Sequence, residues 1–470
     1  MLQSRRYQAP DPLERLTSPQ KERPVAQELA TLPRLRTILP LTADVNAAGH
    51  LTIGGCDAVE LAREFGTPLY VFDEQTLRHQ CRALRDAFGR RYRQSMVAYA
   101  SKAYTGLALL RLVAEEGLGL DVVSGGELAI ALAAGFPPER IHLHGNNKSA
   151  SELREALQAG IGRIIVDNLD ELAMLAEIAG RLNRRADVLL RLSPGVDPHT
   201  HDKITTGILD SKFGMSIQTG DAETAVERAL AAPHLNLRGY HCHIGSQVFE
   251  TEAYAQAVDV MIAFAAHMRE RHGYTPEEFS PGGGFAVQYV VDQPAPDPDV
   301  YAGLVVDTLH AACERHGLPL PRLFVEPGRS IVARAGVALY TIGTRKVIPG
   351  VRTYISVDGG MADNIRPAMY GARYEALIAN RAAATPDETV TVAGKYCESG
   401  DILIRDVALA APRRGDILAV PASGAYCIPM ASNYNAALKP AIVFVREGVA
   451  RLVRRRETYA DLIRTELELG

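Results

Sequence analysis

The chain has 470 residues, 47% hydrophobic and 23% charged, which is enough to bury a large core and to divide into two or three domains. A formal net charge of -4 gives no electrostatic reason for nucleic acid or an acidic membrane as partner, and no apolar run is long enough to span a bilayer. The six cysteines are scattered and form no CxxC pair, so they read as free thiols in a reducing, cytoplasmic setting rather than as a disulfide framework.

Residues 1–45 are rich in Pro, Arg, Gln and Glu and carry little apolar periodicity. They read as a loosely ordered arm with one short helix around residues 25–32. Arg5 and Arg6 are basic, but Pro10, Asp11, Pro12 and Glu14 stand where a signal peptide needs its apolar core. Residues 46–75 include the strand-like "HLTIGG" that begins at His50.

From 76 to 330 short apolar runs alternate with helix-like segments. The runs are "MVAYASK" (96–102), "LDVVSGGE" (120–127), "RIHLHGNN" (140–147), "RIIVDN" (163–168), "VLLRLSPG" (188–195), "LRGYHCHIGS" (237–246), "FSPGGGF" (279–285) and "LFVEPGRS" (323–330). Stretches such as "SELREALQAG" and "DELAMLAEIAGRL" have the helical period that a crossover between parallel strands requires. Eight such units predict a (β/α)8 barrel, a fold of typically about 250 residues. From 331 to 470 the texture becomes strands without helices, from "VALYTIG" to "AIVFVREGVARLV". This predicts an all-β sandwich or barrel domain, completed by segment 46–75, so that the α/β barrel is an insertion.

Active sites of such barrels lie at the C-terminal ends of the strands. The residues ending the runs are Lys102, Ser124, Glu127, His144, Asn146, Asp167, His243, Ser246, Gly282 to Gly284, and Glu326 to Arg329. One lysine at a strand end can simply extend to solvent. Converging lysine, histidine, glutamate and arginine on one rim is not needed for stability. The glycines of "PGGG" (Gly283, Gly284) and of "EPGR" (Glu326, Pro327, Gly328, Arg329) end runs seven and eight, where barrels of this kind bind phosphate; either motif alone could be an ordinary turn. A phosphate, a strand-end lysine and an acid beside the phosphate loop suit pyridoxal 5'-phosphate (PLP). Lys102 would hold it covalently, Glu326 would keep its ring nitrogen protonated, and His243 would stack on the ring if it is not merely a core histidine.

"YASKA", "DVVSGGEL", "HLHGNNKS", "SKFGM", "HCHIGSQ", "GGG", "VEPGRS", "VDGGMADNIRPAMY", "CESGD" and "GAYCIPMASNYN" occur in this order between about Leu51 and Val445. With them the sequence resembles the diaminopimelate decarboxylases, PLP enzymes of the alanine racemase-like fold. The resemblance implies decarboxylation of meso-diaminopimelate to lysine, with Lys102 carrying PLP, His243 stacking, and Ser246, Gly284, Gly328 and Arg329 around the phosphate. It implies Arg329, Arg366 and Tyr370 as substrate contacts, Cys397 as proton donor, Glu398 on the distal ammonium, and Tyr426 near both ligands. It further implies a homodimer whose two sites each borrow "CESGD" from the partner, although a lone Cys397 would otherwise read as structural. Tyr104, Pro281 and Ala286 depart from the commoner asparagine, leucine and glycine of the family.

Four other readings carry less. Alanine racemases set arginine against the ring nitrogen, where this chain offers Glu326. A decarboxylase of another basic amino acid is separable by assay. The small PLP-carrier proteins lack a second domain. A metal hydrolase would use "HCH" (241–243) and "HTH" (199–201), but no set of acidic and histidine ligands recurs at the other strand ends, and Lys102 would go unexplained.

Overall fold

The structure is a computed structural model that describes residues 31–196 and 211–469. Its first large unit is a closed barrel of eight parallel strands: β1 (Ser95–Ala100), β2 (Gly119–Val122), β3 (Ile141–Leu143), β4 (Arg163–Val166), β5 (Ala186–Ser193), β6 (Leu235–His241), β7 (Glu278–Ser280) and β8 (Arg322–Val325). Each pairs with the next, and β8 returns to β1 through Leu323 opposite Ser95 and Val325 opposite Val97. The eight strands fall within or across the eight apolar runs, because a strand covered on both faces needs apolar residues continuously rather than alternately.

Polar residues set where the crossover helices begin. Ser124, Ser149 and Asn168 each accept the backbone N–H three residues on, at Glu127, Glu152 and Glu171, and Ser149 with Glu152 forms a complete capping box. At the opposite end of the barrel Glu278 pairs with Arg163 through two hydrogen bonds of 2.5 and 2.6 Å. Both side chains are largely withdrawn from solvent, so a bidentate ion pair braces that end.

The second unit is a mixed sheet in the order Ile402–Leu409, Glu388–Ala393, Arg352–Val357, Gly336–Ile348, Leu69–Asp73, Ala441–Arg446, Val449–Arg454, with Ile417–Val420 and Leu377–Ile378 branching from the long strand. Strand alternation divides its side chains between two cores. Leu69, Val71, Val337, Leu339, Ala441 and Val443 join one cluster, while Tyr70, Phe72, Ala338, Tyr340, Ile442 and Phe444 join the cluster continuous with the barrel. The run "AIVFVREGVARLV" is a hairpin rather than one strand, turning at Glu447 and Gly448.

The strand that the N-terminal segment gives to this sheet is Leu69–Asp73, not "HLTIGG". Gly54 and Gly55 both have positive φ, which folds Leu51–Ile53 back onto Cys56–Asp57 in a separate three-stranded sheet. Leu51 and Ile53 still pack in the same core as Leu69 and Val71. Of the expected arm, residues 31–45 contribute Leu35, Ile38, Leu39 and Ala43 to that core, and a helix covers Thr31–Leu35. The rest of the expected helix, and "HTH", lie outside the described residues.

The chain enters and leaves the barrel at neighbouring strands of the sheet. Leu69–Asp73 pairs with Gly336–Ile348, and the Asp73 N–H donates to Ala335 O at 2.9 Å. Chain entry and exit are therefore neighbours. Asp73 also accepts the N–H of Thr76, so the residue ending the strand starts the helix Glu74–Arg91.

Candidate active site

The strand ends surround a cavity of about 680 Å3, a size suited to a cofactor with its substrate. Lys102 stands in the turn Ser101–Ala103 immediately after β1. Glu127 fixes that turn by accepting from Ser101 Oγ at 2.7 Å and from the Val123 N–H at 2.8 Å. The Lys102 side chain is accessible because it projects into the cavity, yet protein surrounds the cavity. Burial first, and then the Arg191 charge, lowers its pKa from the usual lysine value, with Glu326 and Asp121 opposing the shift. A lowered amine pKa leaves more of the unprotonated, nucleophilic form.

Glu326, at the end of β8, is buried in the barrel mouth. It accepts from Ser280 Oγ at 2.8 Å and lies 2.9 Å from His241 Nε2. Burial alone would raise its carboxyl, but the His241 and His144 rings and these hydrogen bonds hold it well below the usual range. Asp121, on β2, behaves oppositely: burial and the Glu326 charge raise its carboxyl well above normal. Two neighbouring carboxyls are thus driven apart, Glu326 towards the ionised form and Asp121 towards the protonated one. Asp121 Oδ1 stands 3.5 Å from His144 Nε2 and 3.6 Å from His142 Nδ1, and all three atoms are buried without a hydrogen-bond partner among the described residues. These separations are too long for hydrogen bonds.

On the other side of the cavity, His243 accepts the Gly283 N–H on Nδ1 at 3.3 Å, which leaves Nε2 to carry the ring proton. Burial and the Lys102 charge push its pKa down to about 3, so the ring is neutral and able to pack against an aromatic face. The glycine loop closes tightly here. A Cβ on Gly283 would fall 1.9 Å from Glu326 O, and Gly284 adopts φ +94° with the site of a Cβ 2.1 Å from Gly245 O. Arg329 donates to Ser246 Oγ at 2.9 Å and to Tyr289 Oη at 2.8 Å, and its guanidinium lies 4.7 Å from the Tyr426 ring centre. Its Nε–H is buried and has no hydrogen-bond partner among the described residues. An amine, an ionised carboxylate and the tight glycine loop beside Ser246 and Arg329, all around one cavity, fit the aldehyde, ring nitrogen and phosphate of PLP.

Residues 74–333 match the family model described as "Pyridoxal-dependent decarboxylase, pyridoxal binding domain". The diaminopimelate decarboxylase of Bacillus subtilis (strain 168) is 48% identical over 91% of this chain and 97% of its own length. That of Mycobacterium tuberculosis (strain CDC 1551 / Oshkosh) is 44% identical over 92% and 98%. This chain belongs to the diaminopimelate decarboxylase family. Among solved structures, the M. jannaschii diaminopimelate decarboxylase in co-complex with L-lysine superposes with a TM-score of 0.86 at 37% identity, covering 91% of this chain and 98% of that one.

Of the residues expected from the strand ends and from the likeness to the diaminopimelate decarboxylases, Lys102, His243, Ser246, Gly284, Glu326, Gly328, Arg329 and Tyr426 line one cavity. Gly283 lies beneath it in contact with His243, and Pro327 uses its carbonyl to accept the Ala100 N–H at 3.1 Å, joining β8 to β1. Arg366 is buried outside the cavity lining, where its guanidinium faces the rings of Tyr289 and Tyr374 at 4.5 and 5.4 Å. Tyr370 is 62% exposed. Cys397 and Glu398 are exposed on a loop of the β domain and do not line this chain's cavity.

Sequence reasoning missed Asp121, His142, Arg191 and Tyr289. The visible signal was a charged residue inside an apolar run, in "LDVV" and "VLLRL". The expectation that acidic and histidine ligands do not recur at other strand ends is corrected, because Asp121 with His142 and His144, and His144 with His241 and Glu326, form two buried clusters. Of the family departures, Tyr104 is buried and stacks on Phe72 at 5.0 Å, joining the lysine-bearing turn to the sheet.

Proposed function

We propose that this protein catalyses the PLP-dependent decarboxylation of meso-2,6-diaminopimelate to L-lysine and CO2, the last step of lysine biosynthesis. One observation carries the reading: a chain alike over nearly its whole length to diaminopimelate decarboxylases brings a lysine of lowered pKa and an ionised, buried carboxylate to one cavity. PLP, when bound, supplies an electron sink for the pair left at Cα as CO2 departs.

The chain's own groups do the rest. Lys102 would hold the cofactor through its side-chain amine. Glu326 would keep a proton on the ring nitrogen. The neutral His243 ring would pack against the cofactor and exclude water there. Gly283, Gly284, Gly328, Ser246 and Arg329 would offer the phosphate backbone and side-chain donors, with Pro327 shaping the loop between them. Arg329 and Arg366, planar forks suited to carboxylates, together with Tyr370 and Tyr426, orient the substrate.

Cys397 returns a proton to Cα and Glu398 pairs with the distal ammonium, both from the partner of a homodimer with two equivalent sites. Cys397 and Glu398 are exposed and do not line the cavity that holds their own chain's Lys102, which supports this arrangement. A cytoplasmic setting is supported by six cysteines that are all free, and no described helix is long and apolar enough to cross a membrane.

The test is to supply purified protein with PLP and meso-diaminopimelate and to follow lysine and CO2. Turnover of diaminopimelate with rejection of lysine and ornithine is expected, since those lack the carboxylate that Arg366 would bind. Equal turnover of lysine or ornithine, or no CO2 from diaminopimelate, would replace the reading.

A further inference from the structure

Tyr289, in the loop that follows "PGGG", touches both of the arginines assigned to substrate carboxylates. Its hydroxyl accepts from Arg329 at 2.8 Å, and its ring face lies 4.5 Å from the Arg366 guanidinium. The side chain is 7% exposed and meets Tyr374 edge-on at 5.5 Å, which fixes the plane of the ring. Tyr374 in turn accepts from Arg366, and the Arg366 charge also reaches Tyr426 in the cavity wall.

Two features make this more than packing. Arg366 is 6% exposed, and its described partners are aromatic rings and a phenol rather than a carboxylate. A buried guanidinium without a counter-ion is costly, so the surroundings hold it ready for an anion that arrives from outside the chain. Second, two like charges held near one another repel, and Tyr289 stands against both: its hydroxyl accepts from Arg329, whose guanidinium also lies 5.6 Å from the ring centre, while Arg366 lies 4.5 Å from that centre. A ring in contact with both guanidinium groups fixes the separation of the two cations.

We propose that Tyr289 is a positioning residue that holds Arg329 and Arg366 as a pair and so selects a substrate carrying two carboxylates. The inference rests on the function proposed above and adds the residue that sets its specificity.

The experiment compares the wild-type holoenzyme with Tyr289→Phe, which removes only the hydroxyl, and Tyr289→Leu, which also removes the π face. The expected result is a rise in KM for meso-diaminopimelate of about tenfold for Tyr289→Phe and about a further tenfold for Tyr289→Leu, with kcat within about threefold. The visible spectrum of bound PLP and the melting temperature of Tyr289→Phe should stay those of the wild type. Pimelate, which has both carboxylates and no amine, should bind the variants more weakly by the same factors in calorimetry. An unchanged KM in both variants would overturn the proposal. So would a fall in kcat accompanied by loss of the cofactor spectrum, which would make Tyr289 purely structural. If the wild type releases no CO2 from diaminopimelate, the proposed function fails, while the pimelate comparison still decides whether Tyr289 holds a dicarboxylate site.

Discussion

Replacing Glu326 with glutamine keeps the shape of the side chain and removes its charge. In the structure one carboxylate oxygen takes the Ser280 hydroxyl at 2.8 Å and the other lies 2.9 Å from His241 Nε2, so the glutamine would keep a place in the network. What it loses is attraction for a proton on the ring nitrogen. A unit charge about 4 Å away, at the effective dielectric that suits such sites, is worth about 4 kcal/mol. Part of that attraction is already spent on His241, which leaves about 3 kcal/mol, or a fall in kcat of about a hundredfold or more. The assay is CO2 release under saturating substrate, with cofactor occupancy read from visible absorbance and folding from a thermal melt. A variant that binds PLP, melts like the wild type and decarboxylates at the wild-type rate would refute the role of Glu326.

Lys102→Ala should abolish both turnover and the visible band of lysine-bound PLP; a borohydride-reducible adduct at another lysine would contradict the assignment. Mixing Lys102→Ala with Cys397→Ala chains under subunit exchange should restore about a quarter of wild-type activity, because half of randomly paired dimers hold one intact site of two. Lys148 donates to Gly145 O, Ile165 O and Glu171 at 2.7 to 2.8 Å, with both charges buried. Lys148→Met should therefore cost about 3–5 kcal/mol in urea unfolding, by leaving Glu171 unpaired. Glu116 accepts from Arg82 and Arg78, and these bonds hold its carboxyl below the usual range. Its contribution to stability is present above the unfolded glutamate pKa and is lost as pH falls through the lower folded value. Glu116→Gln should flatten the acid side of the stability curve below about pH 4.5.

The barrel was readable because its strands are covered on both faces and end abruptly in polar residues. Lys102, His243 and Glu326 stand at such ends, where an apolar run stops without a hydrophobic reason. Asp121 and Arg191 were harder to see, since each lies within a run, and the partners that explain them, His144 and Asp167, come from other strands. Tyr289 carried no local signal at all; its meaning comes from Arg329 and Arg366, which belong to different domains. "HLTIGG" misled because alternating apolar residues reveal a strand but not its partner, and the two glycines that fold it back onto Cys56–Asp57 are the last two residues of the run itself.

Because Leu69–Asp73 lies between Gly336–Ile348 and Ala441–Arg446, the chain commits this strand at the start of synthesis to neighbours made near its end. Barrel strands can pair as they emerge, each with the one before it, but the first sheet strand must wait. Until then a five-residue strand with four apolar residues is unpaired, the kind of edge that seeks other chains. Closing that long loop is slow, so refolding yield should depend on protein concentration more steeply than activity does. A circular permutant that begins at the barrel and carries Leu69–Asp73 after Arg454 would place the strand beside its partners in sequence and shorten the exposure.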